Sequence, residues 1–335
     1  EEGRDLVAAR NRLMFEEFGP RPLTAPRGSI GIPLALTAYE LFPLYVKLVQ
    51  ELGYDVVLPD PSRGGDLRTS APICYPCEIL HGAVRDLLRQ GVDHILIPHL
   101  LEMETPDGGL HGYTCPSTAL IPDILKAAFT DEADRFLTPH VGLSDDLRAL
   151  TLAEAERMAE RLGLERDRGR RAAEEALACQ QAFRNRYREL AEKELATIGD
   201  EPAVILAGRP YVVCPPGVNL SLPRKIASRG YHVLPADMLP ERPDALPPRD
   251  VWHFTRQIGG AVAHVKQNPN LAICLVSCFS CGPDSSMYHF FRRELAGHTF
   301  CYLEIDSHTA HAGFETRVGA FLDLLDEQRR RQGNP

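Results

Sequence analysis

Cysteine residues at predicted strand-to-helix turns are the feature of this sequence best suited to chemistry. The chain has 335 residues, of which nine are cysteines. Six of these lie at such turns: Cys74, Cys77, Cys115, Cys214, Cys278 and Cys281. Because an open α/β sheet gathers these turns at one edge, cysteines far apart in sequence can face a common crevice. Thiolates gathered in this way are most often metal ligands, so the sequence predicts that these six bind metal.

The residues that flank the cysteines support this interpretation. Pro76, Pro116 and Pro283 lie where a helix is about to begin, and the first helical turn accepts proline. A helix N-terminus presents unpaired N–H groups and the positive end of the helix dipole, which lower the pKa of a thiol and stabilise an anion. Gly282 allows the backbone to approach a bulky inorganic group. Several such helix ends at one point would hold a negatively charged iron–sulfur cluster.

Other interpretations of the cysteines stay open. A zinc site has the right ligand type, but zinc ribbons separate their Cys-x-x-Cys pairs by about 15–20 residues, whereas the two pairs here begin at Cys74 and Cys278. A redox dithiol at Cys74 and Cys77 and a purely structural role are further alternatives. The remaining cysteines are interpreted as small buried hydrophobes that bind no metal: Cys179, Cys274 and Cys301.

Two further groups of polar residues follow predicted strands. Four potential metal or proton-transfer groups follow the last strand: Glu304, Asp306, His308 and His311. The favoured interpretation is that Asp306 and Ser307 cap the last helix while the histidines lie on the surface. Arg209 follows another strand and could pair with an anionic group or be a surface charge.

The elements that would position these residues alternate between short apolar strands and helices. Strands are predicted at 29–33, 55–59, 94–98, 203–207, 231–234, 271–276 and 299–305. Between the two series lies a segment rich in Arg, Glu and Ala, which indicates helices with a break at Gly163 or Gly169. The predicted fold class is α/β, with two Rossmann-like, doubly wound, mostly parallel-sheet domains at 1–150 and 201–335, joined by a helical connector at 151–200.

Composition limits the classes of function. The net charge of −9 and the absence of a basic patch argue against a nucleic-acid partner. No apolar run approaches the roughly 20 residues that a membrane helix needs, and the charged start resembles no signal peptide, so a cytoplasmic location is expected. The missing initiator Met suggests a trimmed chain or a piece of a longer protein. Neither Gly-x-x-x-x-Gly-Lys nor Gly-x-Gly-x-x-Gly occurs, so ATP or dinucleotide binding by this chain is not expected.

Several motifs resemble the activase-related proteins of 2-hydroxyacyl-CoA dehydratases, over about 29–325 of the chain. The motifs are Glu40-Leu41-Phe42-Pro43, Gly208-Arg209-Pro210-Tyr211, Phe279-Ser280-Cys281-Gly282-Pro283 and Leu303-Glu304-Ile305-Asp306. The resemblance implies two Rossmann-like domains with an iron–sulfur cluster in the cleft between them. It also implies a separate or fused partner ATPase of the actin-like type, which delivers low-potential electrons at the expense of ATP.

The resemblance further implies which cysteines are ligands. The recurrent cysteines of that family fall on Cys74, Cys115 and Cys281, and three thiolates suit one 4Fe–4S cubane with an open iron. This chain adds three cysteines near the same turns: Cys77, Cys214 and Cys278. Three plus three is the ligand count of a double-cubane 8Fe–9S cluster, so the nuclearity of the cluster stays open.

Three hypotheses for function follow. The leading one is an iron–sulfur electron-transfer or reductase component that receives electrons from an ATP-hydrolysing activase partner. The second is a 2-hydroxyacyl-CoA dehydratase-like subunit with an acyl-CoA cavity beside the cluster. The third is a zinc-stabilised or apo module that docks a partner ATPase. The sequence leaves the substrate open, as well as whether the chain forms a homodimer.

Overall fold

The chain folds into two compact units. The computed structural model describes residues 4–60, 74–104, 112–240, 242, 245 and 252–331. The N-terminal unit comprises Asn11–Tyr187 and Val251–His253, and the C-terminal unit comprises Glu1–Arg10, Arg188–Asp250 and Phe254–Pro335. In these described ranges, no helix is long and apolar enough to cross a membrane.

The first half of the chain contains two sheets. Its elements are α1 (Leu6–Arg12), a π-helical turn (Leu13–Glu17), β1 (Ser29–Gly31), α2 (Ala38–Glu51), β2 (Asp55–Val57), α3 (Tyr75–Gln90), β3 (His94–Leu96), β4 (His99–Met103), β5 (Gly112–Tyr113), α4 (Pro116–Ala128), a 3₁₀ turn (Ala133–Arg135), β6 (Phe136–Leu137), β7 (His140–Gly142), α5 (Asp145–Arg161) and α6 (Arg166–Ile198). One sheet is parallel throughout, in the order β2-β1-β3-β6. In the other, β4 pairs in parallel with β7 and antiparallel with β5.

Helix α3 packs tightly on the parallel sheet of the N-terminal unit. Ile30 of β1, Ile95 of β3 and Leu87 of α3 are each completely buried. A Cβ atom on Gly31 would lie only 2.9 Å from a methyl carbon of Leu87. A side chain at position 31 would have to displace Leu87, so glycine lets α3 lie close to β1.

A buried glutamine hydrogen-bonds to backbone groups at a kink in α2. The backbone of Leu41 departs from helical geometry (φ −114°, ψ 19°), two residues before Pro43, whose ring cannot fit a regular helix interior. Gln180 of α6 donates from Nε2 to the carbonyl of Glu40 at 3.0 Å and accepts from the N–H of Leu44 at 3.3 Å. One side chain thus supplies hydrogen bonds to two backbone groups at the kink, where the regular helical ladder is interrupted.

The C-terminal unit is built on one fully parallel sheet. Its elements are β8 (Ala203–Ala207), α7 (Pro210–Val213), α8 (Leu222–Ala227), β9 (His232–Pro235), a 3₁₀ turn (Ala236–Met238), α9 (His253–Gln267), β10 (Leu271–Cys278), α10 (Gly282–Glu294), β11 (Phe300–Ile305) and α11 (His311–Arg331). The strand order is β11-β10-β8-β9. All five residues of β8 are buried, as in strands covered on both faces by helices.

Residues from the start of the chain complete this C-terminal unit. Asp5 forms a parallel β-bridge with Val233 of β9. The Nε of Arg10 lies 2.7 Å from a carboxylate oxygen of Asp237, and the two side chains are only 1% and 8% exposed. A buried ion pair therefore joins residues that lie far apart in sequence.

The structure confirms the predicted α/β class with mostly parallel sheets. The helical segment consists of α5 and α6, and the break falls at Gly163, whose φ of +70° suits glycine. Gly169 instead lies inside α6, where a Cβ atom would come within 2.3 Å of the carbonyl oxygen of Ala155. The three-stranded sheet was not predicted, because β4 carries the polar residues His99 and Glu102, both of which are buried.

Candidate functional site

Three of the predicted ligands occupy the residue immediately before a helix. Cys74 precedes α3, Cys115 precedes α4 and Cys281 precedes α10, each with an extended backbone and each followed within two residues by proline. The carbonyl of each cysteine accepts a hydrogen bond from the first turn of its helix. A residue at this position lies beside the unpaired N–H groups and the positive end of the helix dipole, which favour a thiolate, although none of the three sulfurs caps its helix by a hydrogen bond.

Cys281 has a charged hydrogen-bond partner. Arg209 donates from a guanidinium nitrogen to Cys281 Sγ at 2.9 Å. The same nitrogen contacts the carboxylate of Asp284, and Ser277 donates to that carboxylate at 2.6 Å. The side chains of Arg209 and Asp284 are 6% and 7% exposed, so the pair is shielded from water. Arg209 is thus a buried partner of an anionic group, which was one of its two predicted roles.

Sheet topology explains why these residues meet. After β8 the chain moves to β9 on one side, and it returns to β10 on the other side of β8. Arg209 follows β8, whereas Ser277 and Cys278 end β10. Diverging connections at the carboxyl ends of two neighbouring parallel strands open a crevice, which is where open α/β sheets bind ligands.

Burial and charge act in opposite directions on Cys281. Burial raises the pKa of its thiol to about 12, and the nearby Arg209 guanidinium works against that rise. Asp284 Oδ1 is buried and has no hydrogen-bond partner within the described residues. A space of about 10 Å³ beside Asp284, Ser277 and Tyr302 is large enough for about one water molecule. At Cys281, burial thus favours the thiol, and the guanidinium of Arg209 favours the thiolate.

Cys115 has a neutral partner. Its Sγ lies 3.1 Å from the hydroxyl of Thr118, one helical turn further on. Thr118 is buried, and its backbone N–H also bonds to the carbonyl of Cys115. The same helix-start geometry as at Cys281 therefore occurs here with a hydroxyl in place of a guanidinium.

Cys77 and Cys278 lie close in sequence to two of these cysteines. Cys77 is in the first turn of α3 and Cys278 is the last residue of β10, and both are buried. The N–H of Cys281 bonds to the carbonyl of Cys278 at 3.1 Å, and Ser280 between them has a left-handed backbone (φ 64°). The turn thus folds back on itself, with Phe279 60% exposed at its tip.

Cys214 differs from the other five. It follows the short helix α7 instead of preceding a helix, and its N–H bonds to the carbonyl of Pro210. Its side chain is completely buried. The strand-to-helix turn after β8 is occupied by Arg209 instead, so the arginine takes the position in which the sequence pattern placed a cysteine.

Two buried residues near Cys77 had not been singled out as site residues. His81 is fully buried, and its Nδ1 lies 2.7 Å from the carbonyl of Cys77. In the described part of the chain, His81 Nε2 and Glu78 Oε2 are buried without hydrogen-bond partners. The spacing Cys-x-x-Cys-Glu-x-x-His was the signal that could have found them, because it places Cys77 and His81 on one helical face.

The polar group after β11 forms a turn. The carboxylate of Asp306 accepts hydrogen bonds from the N–H of His308 at 2.9 Å and from the hydroxyl of Thr309 at 2.8 Å. Helix α11 begins later, at His311. Asp306 therefore caps the turn before the last helix and not the helix itself.

The six cysteines divide equally between the units. Cys74, Cys77 and Cys115 belong to the N-terminal unit, and the others to the C-terminal unit. No disulfide links any cysteine in the described part of the chain. In the same part, no three His, Cys, Asp or Glu side chains are grouped closely enough to hold a metal ion. The assignment of the six as ligands of one metal site stays a prediction.

Comparison with protein families identifies the relatives of this chain. Residues 29–239 match the model of the CoA enzyme activase uncharacterised domain (DUF2229). The chain belongs to this family. No curated protein matches the sequence.

The CoA enzyme activase domain match covers much of the candidate site. It includes Cys74, Cys115 and Arg209, and it ends before Cys278 and Cys281. Arg209 therefore lies inside the family domain, whereas its partners Cys281 and Asp284 lie in the part of the chain that follows it. Membership of this family agrees with the predicted relationship to activase-related proteins.

Proposed function

We propose that this chain is an iron–sulfur electron-transfer component of a CoA-enzyme activase system. In this role it receives low-potential electrons from an actin-like ATPase, separate or fused, and passes them to a CoA-dependent dehydratase or reductase. The observation that carries the proposal is the placement of Cys74, Cys115 and Cys281 at three helix N-termini. Family membership supports the link to CoA-enzyme activation.

The donor chemistry of this chain fits an iron–sulfur cluster. Cysteine thiolates are the usual ligands of such clusters, and a helix N-terminus favours the thiolate over the thiol. Cys74, Cys115 and Cys281 are the proposed principal ligands, with Cys77, Cys278 and Cys214 ranked below them in that order. Such a cluster supplies one-electron transfer at a potential set by its ligands, their hydrogen bonds and exposure.

The residues of the C-terminal unit prepare one ligand. Arg209 donates to Cys281 Sγ and offsets the negative charge of a thiolate there. Asp284 and Ser277 hold the guanidinium in place, because Ser277 and Arg209 both donate to the same carboxylate oxygen. Burial of this group excludes bulk water and keeps the hydrogen bond to sulfur strong.

Metal content decides the proposal. The protein purified without oxygen is analysed for iron, acid-labile sulfide and zinc per chain, and for the electron paramagnetic resonance signal of a reduced cluster. About four irons per chain would indicate one cubane, and about eight a double cubane. A colourless protein with tightly bound zinc would overturn the proposal.

Two further assays test the partner and the alternative. The isolated chain is expected to hydrolyse no ATP, since its sequence carries no phosphate-binding loop; robust ATPase activity from the purified chain would contradict the role of electron acceptor. Tight binding of an acyl-CoA, measured by calorimetry on the same iron-loaded protein, would favour a dehydratase-like subunit.

A further inference from the structure

Two cysteines outside the candidate site form a pair on neighbouring strands. Cys274 of β10 and Cys301 of β11 are register partners in the parallel sheet of the C-terminal unit. Both side chains are buried, at 1% and 9% exposed. The sequence predicts each as a small buried hydrophobe. One helix separates the two strands, and no sequence motif relates two cysteines spaced in this way.

The register brings these two thiols within the range of a covalent bond. Neighbouring strands lie about 4.8 Å apart, and a disulfide requires Cα atoms about 4.4–6.8 Å apart. Each thiol also lies close enough to the other to shift its pKa. Because β11 is the edge strand of its sheet, Cys301 is the member of the pair closer to solvent.

The surroundings distinguish the two sulfurs. The pKa of Cys301 is lowered, because its thiolate accepts the hydrogen bond from Cys274 and because Arg317 lies nearby. The pKa of Cys274 is raised, because it hydrogen-bonds to Cys301 and is completely buried. Because Cys301 lies on the edge strand and is the more exposed of the two, it is the thiol that an oxidant reaches first, and Cys274 is its resolving partner.

We propose that Cys274 and Cys301 form a redox-active dithiol that peroxide oxidises to a disulfide between β10 and β11. The Cys301 thiolate attacks one oxygen of hydrogen peroxide, the O–O bond breaks, and the released hydroxide takes up a proton to become water. Cys301 is then a sulfenic acid. Cys274 loses its proton and attacks the Cys301 sulfur, the S–O bond breaks, and a second water leaves. Two thiols lose two electrons and two protons, and one peroxide becomes two waters.

Peroxide is the oxidant that the burial of the pair favours. Cys301 is only 9% exposed, so a small oxidant reaches its sulfur more readily than a bulky disulfide does. The proposed bond would join the edge strand β11 to β10, and a thiol reductant such as dithiothreitol should break it again.

Peptide mapping tests the proposal directly. The protein purified without oxygen is treated with hydrogen peroxide, denatured, blocked with N-ethylmaleimide and digested with trypsin without reductant. Cys301 is the only cysteine in the peptide 294–317, and Cys274 lies in the peptide 267–292 together with Cys278 and Cys281. The expected product is these two peptides joined, with fragmentation that places the bond on Cys274, and with separation of the two peptides by dithiothreitol.

Three variants sharpen the assignment. Cys274→Ser and Cys301→Ser should each abolish the linked product, whereas the control Cys179→Ser should yield as much of it as the unaltered protein. A linked product that persists in Cys274→Ser would show that Cys301 pairs with Cys278 or Cys281, and would overturn the proposal. Full maleimide labelling of both Cys274 and Cys301 after peroxide treatment of the unaltered protein would overturn it too, and this readout does not depend on how the variants fold.

Discussion

Each unit has a half-buried cysteine directly before a helix, but the hydrogen-bond partner of its sulfur differs. In the N-terminal unit, the partner of Cys115 is the hydroxyl of Thr118 at 3.1 Å. In the C-terminal unit, the partner of Cys281 is the guanidinium of Arg209 at 2.9 Å. Hydrogen bonds that involve a charged group are about twice as strong as neutral ones, so the C-terminal unit holds its sulfur more firmly.

Buried polar atoms lie near the cysteines of both units. In the described N-terminal unit, Glu78 Oε2 and His81 Nε2 lack partners close in sequence to Cys77. In the C-terminal unit, Arg209 and Ser277 both donate to the carboxylate of Asp284. A buried unsatisfied group costs about 1–3 kcal/mol. Asp284 Oδ1 also has no partner within the described residues, so both units retain buried polar atoms that a bound group could satisfy. The difference is that the Asp284 carboxylate is already paired with a cation, Arg209.

The largest expected effect comes from removing the thiol of Cys281. Cys281→Ala should lose most of the bound iron, because it leaves an iron without its thiolate ligand. Cys115→Ala should lose less, since its sulfur is held by a weaker, neutral hydrogen bond. Iron and acid-labile sulfide per chain, measured after purification without oxygen, report the result. Cys301→Ala is the control and should keep its iron. Equal iron losses from Cys281→Ala and Cys115→Ala would contradict the proposed difference between the units.

The next effect is on stability and concerns the charged network. Arg209→Met should lower the free energy of unfolding by about 3–5 kcal/mol, because it leaves the buried carboxylate of Asp284 without its cation. Thr118→Val in the N-terminal unit should cost only about 0.5–1.5 kcal/mol, the value of one neutral hydrogen bond. Urea unfolding followed by circular dichroism compares the two. If Arg209→Met costs no more than Thr118→Val, the distinction between charged and neutral surroundings fails.

A smaller effect is expected at the kink of the N-terminal unit. Gln180→Ala removes the hydrogen bonds to the carbonyl of Glu40 and the N–H of Leu44, and should lower the free energy of unfolding by about 1–3 kcal/mol. The neighbouring Gln181 is exposed, so Gln181→Ala is a matched control that should change little. Equal midpoints for the two variants in the same urea experiment would show that water replaces the lost bonds.

The smallest effect concerns the turn between Cys278 and Cys281. Ser280 has a φ of 64°, which glycine adopts freely and β-branched residues avoid. Ser280→Gly should change the free energy of unfolding by less than about 1 kcal/mol, and Ser280→Val should lower it by about 1–2 kcal/mol. Thermal melting of the two variants gives the order. A melting temperature for Ser280→Val at or above that of Ser280→Gly would show that this turn adopts another backbone in solution.

The sequence predicted features that depend on local pattern. Short apolar strands such as Ala203–Ala207 and the helix break at Gly163 could be located because periodicity and glycine act over a few residues. The positions of Cys74, Cys115 and Cys281 before helices followed from the prolines after them. Their role as ligands of one metal site stays a prediction.

Features that depend on strand register could not be predicted. The contact of Arg209 with Cys281 arises because β8 and β10 are neighbours, which no local pattern specifies. The pairing of Cys274 with Cys301 depends in the same way on the alignment of two strands separated by a helix. The three-stranded sheet escaped detection because the buried polar residue Glu102 in β4 is satisfied by Ser144 from a distant part of the chain.

The ion pair between Arg10 and Asp237 has a consequence for synthesis of the chain and for its fragments. During translation Arg10 leaves the ribosome long before Asp237. Arg10 therefore cannot form this ion pair until the chain has been synthesised as far as Asp237. A fragment that begins at residue 201 would contain Asp237 without Arg10, and removing one member of a buried pair costs about 3–5 kcal/mol. A fragment intended to hold the C-terminal unit alone should therefore be produced with the segment that carries Asp5 and Arg10, supplied as a fused or co-expressed peptide.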